Sequence, residues 1–171
     1  EVLCYCYLSK EQIKLYQQAV DHLEKRLQNY EAIDRKGLIL SSLMRLKQIC
    51  NHPSQGNKEG AFRPNQSGKF ERLKILCQEI ADRQEKVLIF TQFREIIEPL
   101  ADFLETVFQR PGLILHGGTS IKKRQDIVQS FQKEEGPPFF ILSLKAGGTG
   151  LNLTEASHVI HFDRWWNPAV E

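Results

Sequence analysis

Ser143-Leu-Lys-Ala-Gly-Gly-Thr-Gly-Leu-Asn152 places three glycines, Gly147, Gly148 and Gly150, within four residues, beside Lys145. Without a Cβ, glycine lets backbone N–H groups close on an anion, and a neighbouring lysine adds a cation. That combination suits a phosphate. A plain tight turn uses glycines in the same way, so this segment alone leaves both readings open. It is not a P-loop. Gly-x-x-x-x-Gly-Lys-Ser/Thr occurs nowhere, and Gly68-Lys69-Phe70 lacks the hydroxyl. Nothing of that type holds β- and γ-phosphates or Mg²⁺.

A second group is His116-Gly117-Gly118-Thr119-Ser120, followed by Lys122, Lys123 and Arg124. Gly117 and Gly118 permit close backbone approach. The cations would sit at a helix N-terminus, where they and the N–H groups act together on an anion. A solvated basic turn has the same composition. Trp165-Trp166 before Asn167-Pro168 cannot send both rings into one core from an extended segment, because neighbours alternate sides. One ring is expected in the core and the other on a partner or a base. His116, His158 and His161 have no metal-like companions and read as structural or surface residues. Cys4 and Cys6 are two apart, a spacing that suits neither a zinc knuckle nor a redox Cys-x-x-Cys. Cys50-Asn51-His52 has no matching second pair. The cysteines read as reduced thiols.

These residues belong to a chain of 171 residues with 41% apolar and 26% charged side chains, an ordinary globular composition. Twenty-three Lys and Arg against 21 Asp and Glu give a net charge of +2, which excludes a polycationic tail but not a local basic surface. No apolar run approaches the roughly 18–20 residues that span a bilayer. The chain begins Glu-Val-Leu-Cys, with neither Met nor a basic n-region. The expectation is an excised piece without a secretory signal.

The elements that must position the candidates follow from periodicity. Val2, Cys4, Cys6 and Leu8 alternate like a short strand. Ser9-Lys-Glu-Gln12 has the form of a capping box, and a helix follows that should fade before Gly37. A second helix runs from Leu38 to Cys50 and stops at Pro53. Residues 54–68 are rich in Gly, Pro, Asn and Ser and read as the one obvious loop. A boundary falls there: residues 1–67 form an N-terminal strand and helical extension, and residues 68–171 a second domain. Charge shifts across it, from +3 (10 basic, 7 acidic) to −1 (13 basic, 14 acidic).

After Ser67, helix and strand alternate. A helix is followed by strand 86–91, a continuous apolar run suited to a parallel sheet buried on both faces. Helix 96–108 tolerates Pro99 only near its first turn. Then come strand 113–115, helix 122–131 capped by Thr119 or Ser120, strand 139–142 and strand 158–162. This pattern predicts an α/β fold, an open parallel sheet with helices on both faces. In such sheets ligands gather beyond the carboxyl ends of the strands. Those ends carry Thr91-Gln92-Phe93-Arg94, the His116 and Lys145 segments, and Asp163-Arg164-Trp165-Trp166. All four should share one edge. No Gly-x-Gly-x-x-Gly follows the first strand of this part, which argues against a small-molecule dinucleotide enzyme.

The residues 143–156, with Val159-Ile-His-Phe-Asp163 and Trp166-Asn167-Pro168, resemble motif V and its continuation in Swi/Snf-type ATPases of helicase superfamily two. Lys86-Val-Leu-Ile-Phe-Thr-Gln-Phe93 resembles their motif IV. Leu115-His-Gly-Gly-Thr119, with Arg124 and Phe131 downstream, resembles the segment between. Leu43-Met-Arg-Leu-Lys-Gln-Ile-Cys-Asn-His-Pro53 resembles the helix before the second lobe. The likeness covers most of the chain, in order.

The resemblance implies the second RecA-like lobe, of P-loop NTPase-type fold, of a DNA-dependent ATPase that moves along double-stranded DNA. Carried over by position, Gln92, Gly117, Lys122, Arg124, Lys145, Gly147, Gly148 and Trp166 would lie near DNA, and Gly150 and Asn152 would face the nucleotide cleft. ATP and Mg²⁺ would serve the parent protein, and the first lobe, with its P-loop and acidic Mg²⁺ box, would be the partner. No metal and no catalytic group is assigned to these residues. The family continues past Glu171 with a Gln and two arginines, one acting as a finger worth 10³–10⁵ in rate. The fragment alone is therefore expected to be inactive, to hold no cofactor tightly, and to be a monomer. A cytoplasmic, nucleoid-associated protein or a nuclear one would fit. Two alternatives stay open: a strand-separating helicase lobe of the same superfamily, and a non-catalytic helicase-like module that binds DNA or protein.

Overall fold

A computed structural model describes residues 2–28, 32–147 and 150–165. The chain divides into two compact units, Glu1–Arg72 and Leu73–Glu171.

The first unit is helical: α1 (Lys10–Leu27), α2 (Ala32–Asn51), α3 (Pro53–Asn57), a 3₁₀ turn (Pro64–Gln66) and the start of α4 (Gly68–Asp82). The capping box is present. Ser9 Oγ accepts from Gln12 N–H at 3.1 Å, and Gln12 Oε1 accepts from Ser9 N–H at 3.0 Å. Three expectations need correction. Val2–Leu8 forms no strand. Val2, Leu3, Tyr5 and Tyr7 are exposed, and no described strand pairs with them. Alternation alone does not make a strand without a partner to take its backbone groups. The first helix does end before Gly37, at Leu27, but the second starts at Ala32 rather than Leu38, so Gly37 lies inside α2. One interior glycine costs only about 1 kcal/mol. Finally, residues 54–68 are not simply a loop, since most of α3 and the 3₁₀ turn Pro64–Gln66 fall within them. Pro53 ends α2 and also opens α3 as its first residue, a position where its missing N–H is harmless.

His52 organises that stretch. Its Nδ1 accepts from Ser54 N–H at 3.1 Å, and its Nε2 donates to Arg63 O at 2.9 Å. The ring is fully buried between Phe62 (4.8 Å) and Phe70 (5.4 Å, edge-on). One nitrogen accepts and the other donates, so the imidazole is neutral, and burial holds its pKa below the ordinary histidine value.

The second unit carries the sheet: β1 (Val87–Thr91), a 3₁₀ turn (Arg94–Ile96), α5 (Ile97–Phe108), β2 (Leu113–Leu115), α6 (Ile121–Phe131), β3 (Phe139–Ser143), α7 (Leu144–Gly147) and β4 (His158–His161). The strand order is β2-β3-β1-β4, and every pairing is parallel. Pro99 is the third residue of α5, and Ser120 caps α6.

Side-chain alternation splits the core into two layers. Leu88, Phe140, Leu142 and Leu115 face α6, which contributes Ile127, Val128 and Phe131. Phe139, on the opposite face of β3, packs its ring 5.4 Å from Phe108 of α5. β1 and β3 are apolar on both faces because both faces are covered, as the continuous runs predict. The result is the expected α/β RecA-like sheet.

Candidate nucleic-acid interface

Because all four strands run in one direction and pair in register, their carboxyl ends share one rim. Thr91 stands opposite Ser143, Leu115 beside Leu142, and Phe90 beside His161. The four segments singled out from sequence therefore all start at that rim.

After β3 the chain does not enter a loop directly. It makes one helical turn, α7, because Ala146 turns into the core with 1% exposure. Lys145, its neighbour, is left exposed. Gly147 closes the turn, while Gly148 lies outside the described residues. Beyond them Gly150 adopts φ +68, a left-handed backbone that disfavours any side chain. Leu151 and Leu153 then pack on the core, which leaves the intervening Asn152 exposed. Alternation about two anchoring leucines thus aims Asn152 outward.

The turn after β2 is built by His116 and Thr119. Gly118 N–H donates to His116 Nδ1 at 3.2 Å, and Thr119 N–H to His116 O at 3.0 Å. His116 is thus structural. Gly117 is exposed, with nothing within 4 Å of where a Cβ would stand. Lys122 is exposed on the first turn of α6. Arg124, half-buried, donates through Nε to Thr119 O at 3.0 Å, so this cation braces the turn as well as charging it.

After β1, Gln92 donates through its backbone N–H to Asp163 Oδ1 at 2.8 Å and through Nε2 to Arg164 O at 3.4 Å. Thr91 Oγ1 donates to Asp163 Oδ2 at 2.6 Å. Thr91 and Asp163 are both buried. Both lie in the strand-end segments that the sequence places at the rim, but the sequence assigns neither a role of its own there. The available signal was the position of each at a strand end, an Asp and a Thr where apolar runs stop. Trp165 is half-buried, and Trp166 lies outside the described residues.

The opposite end of the sheet has a different character. Lys86, just before β1, is buried and donates Nζ to Phe131 O at 2.8 Å and to Lys133 O. Burial lowers its pKa. His158 pairs with Glu85 at 2.5 Å. Lys86 is thus spent on internal carbonyls, whereas Lys122 and Lys145 stand exposed beside the carboxyl-end rim. Among the described residues no three His, Cys, Asp or Glu side chains cluster to hold a metal ion, and no helix is long and apolar enough to cross a membrane.

Residues 71–171 match the helicase conserved C-terminal domain. The chain belongs to that family. Within it, this helicase C-terminal domain is of the Swi/Snf type. It is similar to the Sulfolobus solfataricus SWI2/SNF2 ATPase C-terminal domain, at 41% identity and a TM-score of 0.89, over 98% of this chain and 73% of that one. It is also similar to the Sulfolobus solfataricus SWI2/SNF2 ATPase core solved in complex with double-stranded DNA, at 39% identity and a TM-score of 0.88, over 96% of this chain and 35% of that one. YwqA of Bacillus subtilis (strain 168) is 47% identical over 166 residues, which is 96% of this chain and 18% of YwqA. This helicase domain thus spans less than a fifth of that relative's length.

Proposed function

We propose that the chain is the second motor lobe of an ATP-dependent translocase acting on double-stranded DNA, with residues 68–171 as the lobe proper and 1–67 as the helical extension leading into it. The observation that carries this is the common rim. Parallel register brings an exposed lysine on α7, a basic first turn on α6, the open Gly117 backbone and Gln92 to the same edge of one sheet. Likeness to an ATPase core solved with double-stranded DNA supports the same ligand.

In this reading Gln92, Gly117, Lys122, Arg124, Lys145, Gly147, Gly148 and Trp166 face the DNA backbone. Backbone N–H groups and cations grip phosphates without reading bases, as movement along any sequence requires. Gly150 and Asn152 face one side of the ATP cleft. Their setting fits that role: a left-handed glycine leaves backbone open, and Asn152 offers an exposed amide with both donor and acceptor. ATP hydrolysis supplies the free energy for movement, while these residues bind and orient. The described part of this chain offers no carboxylate cluster for Mg²⁺. That ligand set falls to the first lobe, and the chain by itself is inactive, monomeric and without tightly held cofactor. The parent works wherever DNA is, in a nucleoid or a nucleus.

The test is the salt dependence of duplex DNA binding by the full-length protein that carries this chain. Each phosphate contact contributes a slope of about −0.9 in log K against log salt. Lys145→Ala and Lys122→Ala should each flatten the slope by roughly that amount, equally for any DNA sequence. Unchanged slopes in both variants overturn the reading, and so does DNA-stimulated ATP turnover by the 171-residue chain alone.

A further inference from the structure

Asp163 is 5% exposed, and both of its oxygens are engaged with the other turn of the rim. Oδ2 accepts from Thr91 Oγ1 at 2.6 Å and Oδ1 from Gln92 N–H at 2.8 Å. Thr91 Oγ1 in turn accepts from Phe93 N–H at 3.2 Å. The carboxylate therefore ties the last residue of β1, and the two that follow it, to the chain leaving β4.

The sheet does not need these bonds to pair its strands. β1 and β4 are already in register from Val87 with His158 to Phe90 with His161, and Phe162 N–H extends the pairing to Phe90 O at 2.9 Å. Asp163 acts one step further, where the ladder has ended and the two strands would otherwise diverge into separate turns. A buried carboxylate is a costly choice for simple adhesion, since an apolar side chain of similar size often stabilises as well. What a carboxylate adds is direction: two short, oriented bonds fix the angle between two segments.

We propose that Asp163, acting through Thr91, is a positioning residue that sets Arg164 against Gln92, so that the two turns present one aligned face to the DNA. The inference rests on the reading of the rim as the DNA-facing edge. In this role Asp163 touches neither DNA nor nucleotide. It fixes the path of Arg164, whose carbonyl takes the Gln92 amide, and the direction in which the chain reaches Trp165. Loosening the link leaves every surface group present and the rim misaligned.

The experiment compares Thr91→Val, Thr91→Ser and Asp163→Ala in the full-length protein, following kcat and KM for ATP with and without duplex DNA, and Tm. Thr91→Val keeps the side-chain shape and deletes the donor; Thr91→Ser keeps the donor. Because displacements of about 1 Å cost on the order of 10²-fold in rate, Thr91→Val should cut the DNA-stimulated kcat about tenfold or more with KM for ATP unmoved. Thr91→Ser should restore stimulation to nearly the wild-type level. Asp163→Ala should resemble Thr91→Val in the ratio of stimulated to unstimulated turnover, even where its Tm falls further. Equal stimulation in Thr91→Val and wild type overturns the inference. So does a loss shared equally by Val and Ser, or one that merely follows Tm. A wild-type protein whose turnover ignores duplex DNA overturns the reading of the rim, and this inference with it.

Discussion

Gln12 and Ile49, 37 residues apart, meet through a hydrogen bond of 2.8 Å from the Gln12 Nε2 amide to the Ile49 carbonyl. The same amide donates to Cys50 O at 3.0 Å. Its oxygen accepts from Ser9 N–H at 3.0 Å and from Gly68 N–H at 3.4 Å. Both donors and both acceptor sites of one fully buried side chain are in use. The residue that closes the capping box of α1 also satisfies carbonyls in the last turn of α2, which the helix itself leaves without partners.

Gln12→Ala should therefore be costly beyond the loss of a cap. It removes the partner of two carbonyls and two N–H groups. The bond to Ile49 O is fully buried, where an unpaired group costs about 1–3 kcal/mol, while the other three are part-buried and cost less. A total of roughly 2–4 kcal/mol, read from chemical denaturation, is expected. A loss within about 0.5 kcal/mol, the ordinary range of surface changes, would falsify the four-bond arrangement.

His52 should make the helical unit sensitive to acid. Its pKa is lowered in the folded chain, chiefly by burial, opposed by its bond to Arg63 O and by Glu11. The unfolded chain then binds the proton more readily than the folded one. The stabilisation is complete above the unfolded value of about 6.5 and is lost as pH falls through the depressed folded value. Urea midpoints of the wild type should fall between pH 8 and pH 5. His52→Asn should be less stable at pH 8 and should lose less over that interval. A wild-type midpoint that rises on acidification contradicts the neutral, buried ring.

The parts of the fold visible in sequence were those with local causes. Ser9 and Gln12 announce a cap because their spacing is local, and strands β1 and β3 announce themselves because both faces are buried. The rim was legible for the same reason: parallel strands put Gly117, Lys145 and Gln92 at one edge once the alternation of helix and strand is accepted. Bonds closed only by tertiary structure were not legible. Thr91 and Asp163 are 72 residues apart, and nothing local in either distinguishes a clamp from a turn residue. Val2–Leu8 failed the other way, as a correct period without a partner strand. α7 has no local signal either, because four residues ending in Gly147 form a single helical turn anchored only by Ala146 in the core.

Thiol chemistry should report on burial residue by residue. Cys77 is fully buried on α4, and burial pushes its thiol up to about 12. At pH 8 only about one molecule in 10⁴ would carry the thiolate that alkylating reagents need. Cys4 is exposed. Burial also raises Cys6 and Cys50, with Lys69 opposing in both cases. Time-resolved alkylation followed by peptide mass analysis should mark Cys4 first and Cys77 only after denaturant is added. Labelling of Cys77 at the Cys4 rate in native buffer would mean that α4 does not bury it.

Two glycines separate folding from ligand approach. A Cβ at Gly136 would stand 2.4 Å from Ser130 O and 2.8 Å from Lys133 O, two backbone atoms that cannot move aside cheaply. Gly136→Ala should therefore lower stability by roughly 1–3 kcal/mol, the range for overpacking. At Gly117 a Cβ meets nothing within 4 Å, and the residue is not among those with positive φ. Gly117→Ala should leave Tm nearly unchanged. In the full-length protein, any loss of duplex affinity in that variant must then come from the ligand side, where a methyl group holds a phosphate off the backbone N–H. An affinity several-fold weaker at unchanged Tm is the expected result. Unchanged affinity in Gly117→Ala would remove the turn after β2 from the DNA-facing edge and leave α7 and the β1 turn as its core, because a phosphate seated on that backbone has no room for the added carbon.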